Sequence, residues 1–151
     1  MKSSGGFTLI ELLAVIVILA IIALIATPII IGLIDDARRE AAANSAYGVY
    51  HAAENVYAKV LLANASGLPG EIIYTFNNDG TIDIGYADAA TTTPPTEWNI
   101  TAADASLDFN GTKPSGGTMT LNTNGSVTVD TTLTINNFTC TKGSGDTFSC
   151  E

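Results

Sequence analysis

Between Phe7 and Ile34 the chain carries one ionisable residue, Glu11, in a run otherwise made almost wholly of Ile, Leu, Ala and Val. A helix that is apolar on every side has to be surrounded by lipid or by other helices, so this run constrains the fold more than any other feature. Leu12 to Ile34 gives 23 uncharged residues. As a helix that is about 34 Å, enough to cross a hydrocarbon core of roughly 30 Å. A carboxylate at that depth costs roughly 2.5 to 3.5 kcal/mol even on lenient scales, so Glu11 predicts a partner.

Composition narrows the function. The chain has 151 residues, which leaves room for one modest soluble domain beside the apolar run. Its 15 acidic and 6 basic residues give a net charge of -9, which repels phosphate backbones and argues against nucleic-acid binding. Its two cysteines, Cys140 and Cys150, lie far from the single histidine, His51, so a Cys/His zinc site is not expected. A cleaved secretory signal fits poorly. The apolar run is too long, no Ala-x-Ala site follows it before Asp35, and the small pair Gly5-Gly6 precedes it.

The segment Gly6-Phe7-Thr8-Leu9-Ile10-Glu11-Leu12-Leu13, behind a six-residue polar leader containing Lys2, resembles the class III signal of type IV pilins and pseudopilins. The resemblance extends to Pro28, which matches a proline that bends or locally melts the helix in that family, and thins beyond about Asn64. It implies a pilin fold. It further implies cleavage after Gly6 by a membrane-embedded prepilin peptidase and methylation of the new Phe7 nitrogen.

The residues of the motif support an independent argument. Cutting before Phe7 places an ammonium group at the start of an apolar helix, with Glu11 one turn along the same face. Either charge alone is costly in lipid. Pairing the Glu11 carboxylate of one subunit with the Phe7 ammonium of a neighbour offsets both desolvation costs and fixes axial register, because a slip of one turn strands two charges. A contact between Phe7 and Glu11 within one subunit is the competing arrangement. Pro28 removes a helical hydrogen bond and crowds the Leu24 carbonyl, at a cost of about 3 kcal/mol. With Gly32 close behind, a kink or extended stretch is expected from Leu24 to Gly32. A harmless membrane kink is the plainer account.

Past the apolar run, Asp35, Asp36, Arg38, Arg39 and Glu40 mark a water boundary. The two arginines run against a simple positive-inside pattern. Ala42, Ala46, Val49, Ala53, Val56 and Val60 then recur at spacings of three and four, which predicts a helix laid on a sheet with Tyr47, Tyr50 and Tyr57 at its flanks. Gly67, Pro69 and Gly70 place its end near Ser66, about 88 Å from Thr8. Three hairpins are expected: Glu71 to Phe76 with Thr81 to Tyr86, Thr118 to Leu121 with Ser126 to Asp130, and Thr132 to Cys140 with Thr147 to Cys150. Ala87 to Pro95 and Gly111 to Gly117 read as surface loops, with Trp98 and Ile100 docking inward.

Cys140 and Cys150 bracket the last hairpin and match, in position, the terminal disulfide of many type IV pilins. A bridge closing about 11 residues is worth roughly 3 kcal/mol in the chain-entropy model. Other signals carry less. Asn77-x-Asp79-Gly80 lacks the carboxylates of a calcium loop at Thr75 and Tyr86. His51 has no Ser, Cys or paired acid at catalytic spacing, and reads as a surface or interface residue. Asn64, Asn99, Asn110, Asn124 and Asn137 open Asn-x-Ser/Thr patterns of the kind an Asn- and Thr-rich chain produces by chance. No cofactor motif and no enzyme chemistry are visible.

The expectation is an α+β type IV pilin fold: leader 1–6, apolar helix 7–34, amphipathic continuation 35–66, and sheet domain 67–151. The resemblance implies a pilus subunit that lies in the cytoplasmic membrane as a prepilin, with its amino terminus cytoplasmic, and in an extracellular filament once assembled, serving adhesion or motility. The implied partners are other pilin subunits, the prepilin peptidase, an assembly ATPase and a platform protein. A pseudopilin of a type II secretion or DNA-uptake system, and a monomeric membrane-anchored binding protein, are the alternatives.

Overall fold

The computed structural model describes residues 6–87, 93–98 and 100–151; five of the six leader residues, part of the Ala87–Pro95 loop and Asn99 lie outside it. The chain divides into two compact units, residues 1–37 and 38–151. Among the described residues the α-helix α1 (Leu9–Ala63) opens the order, followed by seven strands, β1 (Ile72–Phe76), β2 (Ile82–Tyr86), β3 (Thr118–Leu121), β4 (Val127–Val129), β5 (Leu133–Ile135), β6 (Phe138–Lys142) and β7 (Phe148–Cys150), with a short 3-10 turn at Thr96–Trp98 between β2 and β3.

In the first unit no described residue is buried. The helix runs unbroken through Pro28 and Gly32. The Thr27 hydroxyl donates to the Ala23 carbonyl at 2.7 Å, a back-bond that often bends helices, one residue before the proline.

In the second unit the helix from Arg38 onward packs on two antiparallel sheets, so the class is α+β. Ala42, Ala46, Val49, Ala53, Val56 and Val60 are all fully buried, with Tyr47 and Tyr57 packed at the edges and Tyr50 drawn in deeper. Small residues let the backbone approach closely: a Cβ on Gly48 would sit 3.0 Å from the Asn110 carbonyl oxygen. The helix stops at Ala63 rather than near Ser66. There Asn64 competes with the backbone, accepting the Ser66 N–H at 3.1 Å and donating to the Gly67 and Trp98 carbonyls at 3.3 Å each. Trp98 and Ile100 dock inward as the sequence suggests.

The first sheet has the order β2-β1-β3-β4 and the second β5-β6-β7. Two hairpins fall where expected, with Ile72 opposite Tyr86 and Met119 opposite Val129. The first strand of the third expected hairpin, Thr132 to Cys140, is instead two strands folded back at Asn136-Asn137, with Leu133 opposite Cys140. Both asparagines have positive φ, 52° and 67°, the conformation of a tight two-residue hairpin turn that Asn tolerates best after Gly. Lys142, expected in a turn, ends β6.

The segment Gly111 to Gly117 also departs from the expected surface loop. Pro114 is fully buried, and Gly116 bridges to Thr134 of β5 through an N–H to carbonyl bond of 3.0 Å. Ser115 donates to the same Thr134 at 2.7 Å, so the segment stitches the second sheet to the strand that follows it in the first. The glycines that made it read as a loop are what allow this approach, since a Cβ on Gly117 would lie 2.5 Å from the Thr132 carbonyl oxygen.

Candidate processing and assembly site

The site begins where α1 begins. Gly6 and Phe7 precede the helix; Phe7 is 85% exposed, and nothing lies within 4 Å of where a Gly6 side chain would start. Thr8 caps the helix, and Glu11 is its third residue.

The Glu11 carboxylate turns back on the helix start. One oxygen, Oε2, accepts the Thr8 N–H at 2.8 Å and the Thr8 hydroxyl at 2.8 Å, while the Glu11 N–H reaches the Thr8 Oγ1 at 3.4 Å. This is a reciprocal capping box, in which two otherwise unpaired donors of the helix end are satisfied. It also sets a negative group at the positive end of the helix dipole. Thr8 was missing from the sequence-based set of assembly residues. Its signal was available, since Thr-x-x-Glu before an apolar run is the capping-box pattern.

Beyond this start, Pro28 and Gly32 lie inside continuous helix in a span long and apolar enough to cross a membrane by length and composition. Nothing crowds Gly32, whose missing side chain would point into open space.

The other candidate residues stand at the far end of the chain. Cys140 and Cys150 are bonded to each other across the β6–β7 ladder, where they face one another with Cα atoms 4.0 Å apart. Phe148, two residues before the bridge, packs edge-on against Tyr47 at 5.5 Å and Tyr50 at 6.0 Å. Lys142 lies 4.8 Å from the Tyr50 ring centre and donates to the Gly145 carbonyl at 2.9 Å. The bridged hairpin is thus held onto the helix by aromatic contacts. Burial raises the Tyr50 hydroxyl above its ordinary pKa, and Lys142 partly opposes that shift.

His51 does have a paired acid: its Nδ1 lies 2.7 Å from Glu54 Oε2, one helical turn on, and its ring stacks on Tyr47 at 5.7 Å. About half exposed, it sits on the surface as the sequence suggests. Asp79 accepts the Thr81 N–H and hydroxyl at 2.9 and 2.6 Å, so the Asn77–Gly80 segment is a hairpin turn with its carboxylate used locally. Among the described residues no group of three or more His, Cys, Asp or Glu side chains is placed to hold a metal.

Residues 1–27 match the family model of the prokaryotic N-terminal methylation motif. No curated protein and no solved structure matches the chain. The motif belongs to a structural rather than enzymatic family and implies processing by a prepilin peptidase and assembly with pilin subunits. With the apolar helix, it fits a membrane-anchored prepilin. The chain therefore carries, over residues 1–27, the class III signal of type IV pilins, at the head of an α+β fold consistent with theirs.

Proposed function

We propose that this chain is a prepilin, cut after Gly6 and methylated on Phe7, whose mature form is a structural subunit of a type IV pilus. The observation that carries the reading is the apolar helix itself: Leu9, Leu24 and Ile29 are 82%, 79% and 67% exposed in the lone chain. Covering such a surface requires lipid before assembly and other copies of the same helix after it. The compact sheet unit, with its Thr- and Asn-rich hairpins, then tiles the filament exterior. A prepilin peptidase, an assembly ATPase and a platform protein are the machine parts this role calls for.

Glu11 acts in two stages on this reading. Before processing, Thr8 keeps its carboxylate hydrogen-bonded within its own chain. After processing, the Phe7 ammonium of a neighbouring subunit supplies a full opposite charge, which a pair of neutral donors does not. The pair then fixes register in the filament core.

The capping contacts also give Glu11 a partner without any second subunit, which is what a monomeric membrane-anchored binding protein would need. Mass spectrometry of the purified mature protein separates the readings, since a chain beginning at methylated Phe7 supports the pilin and an uncut amino terminus supports the monomer. Glu11→Ala should still insert and be cleaved yet enter filaments poorly; normal piliation would refute the pairing. A pseudopilin shares the same motif, and long surface filaments in electron micrographs, lost on deletion, distinguish the pilin from it.

A further inference from the structure

Arg38 and Arg39 lie on the side of the apolar run where a positive-inside pattern does not call for them. Arg38 lines a cavity of about 670 Å³ together with Asn136, Asn137 and Phe138. The hairpin tip owes its place there to the left-handed backbone of its two asparagines. Asn136 is tethered by a 3.5 Å bond from its amide to the Thr112 hydroxyl, and Phe138 lies under the Arg39 guanidinium at 5.9 Å. The lining supplies a guanidinium fork and two carboxamides but no carboxylate, in a chain with 15 acidic residues and a net charge of -9. That donor set suits a phosphate group, which a guanidinium grips through two parallel hydrogen bonds.

The position along the helix says which phosphate. Arg38 is four residues beyond Ile34, the last residue of the apolar run, within the same helix. Four residues advance about 6 Å. The headgroup layer on each face of a bilayer is about 5 to 8 Å deep, so an apolar run that fills the hydrocarbon core puts Arg38 at headgroup level.

We propose that Arg38 and the Asn136-Asn137 turn form a seat for the phosphodiester of an anionic membrane lipid. It holds the subunit at a set depth in the bilayer and offsets the repulsion between an acidic domain and an acidic surface. The inference rests on the membrane-anchored reading above but not on pilus assembly.

The test uses the full chain in bilayer nanodiscs that mix phosphatidylglycerol with phosphatidylcholine, with retained lipids counted by native mass spectrometry. The native chain should keep phosphatidylglycerol in preference to phosphatidylcholine. Arg38→Gln should lower that retention at least about tenfold, the loss typical of even one of the two charge-assisted hydrogen bonds, and Arg38→Lys should restore part of it. Asn137→Gly, which keeps the positive φ, should weaken it less. Equal retention by the native chain and Arg38→Gln overturns the proposal. Displacement of the lipid by inorganic phosphate also overturns it, in favour of a free-anion site. So does unchanged retention alongside a loss of filaments, which assigns the seat to carboxylates of a second copy. Resistance to alkaline carbonate extraction, read on the native chain and Arg38→Gln together, reports the membrane reading separately, because Arg38→Gln should remain embedded even where its lipid is lost.

Discussion

Thr8 and Glu11 close on each other at the first turn of the helix, with one carboxylate oxygen 2.8 Å from both the amide and the hydroxyl of the threonine. The residue proposed to pair between subunits is therefore already occupied within its own chain. On the proposed function, assembly exchanges two hydrogen bonds with neutral donors for an ion pair in an apolar bundle. The exchange is favourable only where the ammonium would otherwise be stranded.

That relationship separates two roles of Glu11. Glu11→Gln keeps an acceptor for Thr8 but loses the charge, so the helix start and leader removal should survive while incorporation into filaments falls on the order of tenfold or more. Thr8→Val keeps the charge and loses the hydroxyl, at about 0.5 to 2 kcal/mol of capping, with a milder effect on filaments. Leader loss by mass spectrometry and subunit in sheared filaments provide the two readings. Equal filament loss in both variants would mean that the cap, not the ion pair, is what assembly uses.

The two Asn-x-x-Gly turns offer an internal control. Gly80 and Gly125 have nearly the same backbone, φ of 79° and 85°. Around Gly80 there is open space, whereas a Cβ on Gly125 would lie 2.5 Å from the Tyr57 ring. Gly80→Ala should cost about 1 to 2 kcal/mol for the left-handed backbone alone. Gly125→Ala should cost a further 1 to 3 kcal/mol, roughly, for overpacking against the helix. Chemical denaturation of the full chain in detergent measures the difference, and equal costs would contradict the Tyr57 contact.

Replacing both Cys140 and Cys150 by Ser removes the bridge beside the Phe148 anchor. The chain-entropy model gives a loss of about 3 kcal/mol. For a domain of this size that lowers the thermal midpoint by roughly 10 °C. The β1–β2 hairpin, remote in the ladder order, should keep its amide protection until the global transition.

Acid should weaken the fold through two exposed turns. Asp104 is held below its ordinary value of 3.8 by the Thr101 hydroxyl first, then by the Thr101 N–H, with a smaller contribution from the charge of Lys59. Asp79 is lowered in the same way by the Thr81 hydroxyl and N–H. A folded-state pKa below the unfolded one means stabilisation that is present above about pH 4 and lost as pH falls through the depressed values. Asp79→Asn with Asp104→Asn should therefore flatten the decline of the thermal midpoint between about pH 4 and pH 2. A decline of undiminished slope would place acid sensitivity elsewhere.

Much of this protein is legible in the chain because local rules decide it. The apolar run, the motif around Gly6 and Glu11, the buried stripe from Ala42 to Val60 and the first two hairpins each follow from periodicity or turn residues within a few positions. The fold departs from those local rules where a side chain competes with the backbone or where distant segments meet. Asn64 ends the helix early through a bond to Trp98, 34 residues away. Asn136-Asn137 turns one apparent strand into two, because Asn accepts positive φ without the glycine that normally announces it. The glycines from 111 to 117 spelled loop, yet close approach to β5 makes that segment a structural stitch.

Sequence alone settled which stretch of the chain, Phe7 to Ile34, must be covered by lipid or by its own kind, since apolar surface is additive along a helix and needs no fold to be counted. Tertiary structure alone decided that Arg38 shares a cavity with a hairpin almost a hundred residues later, and that Phe148 pins the bridged loop to Tyr47 and Tyr50. Such meetings depend on how the chain closes its long loops, and no local pattern of residues encodes that.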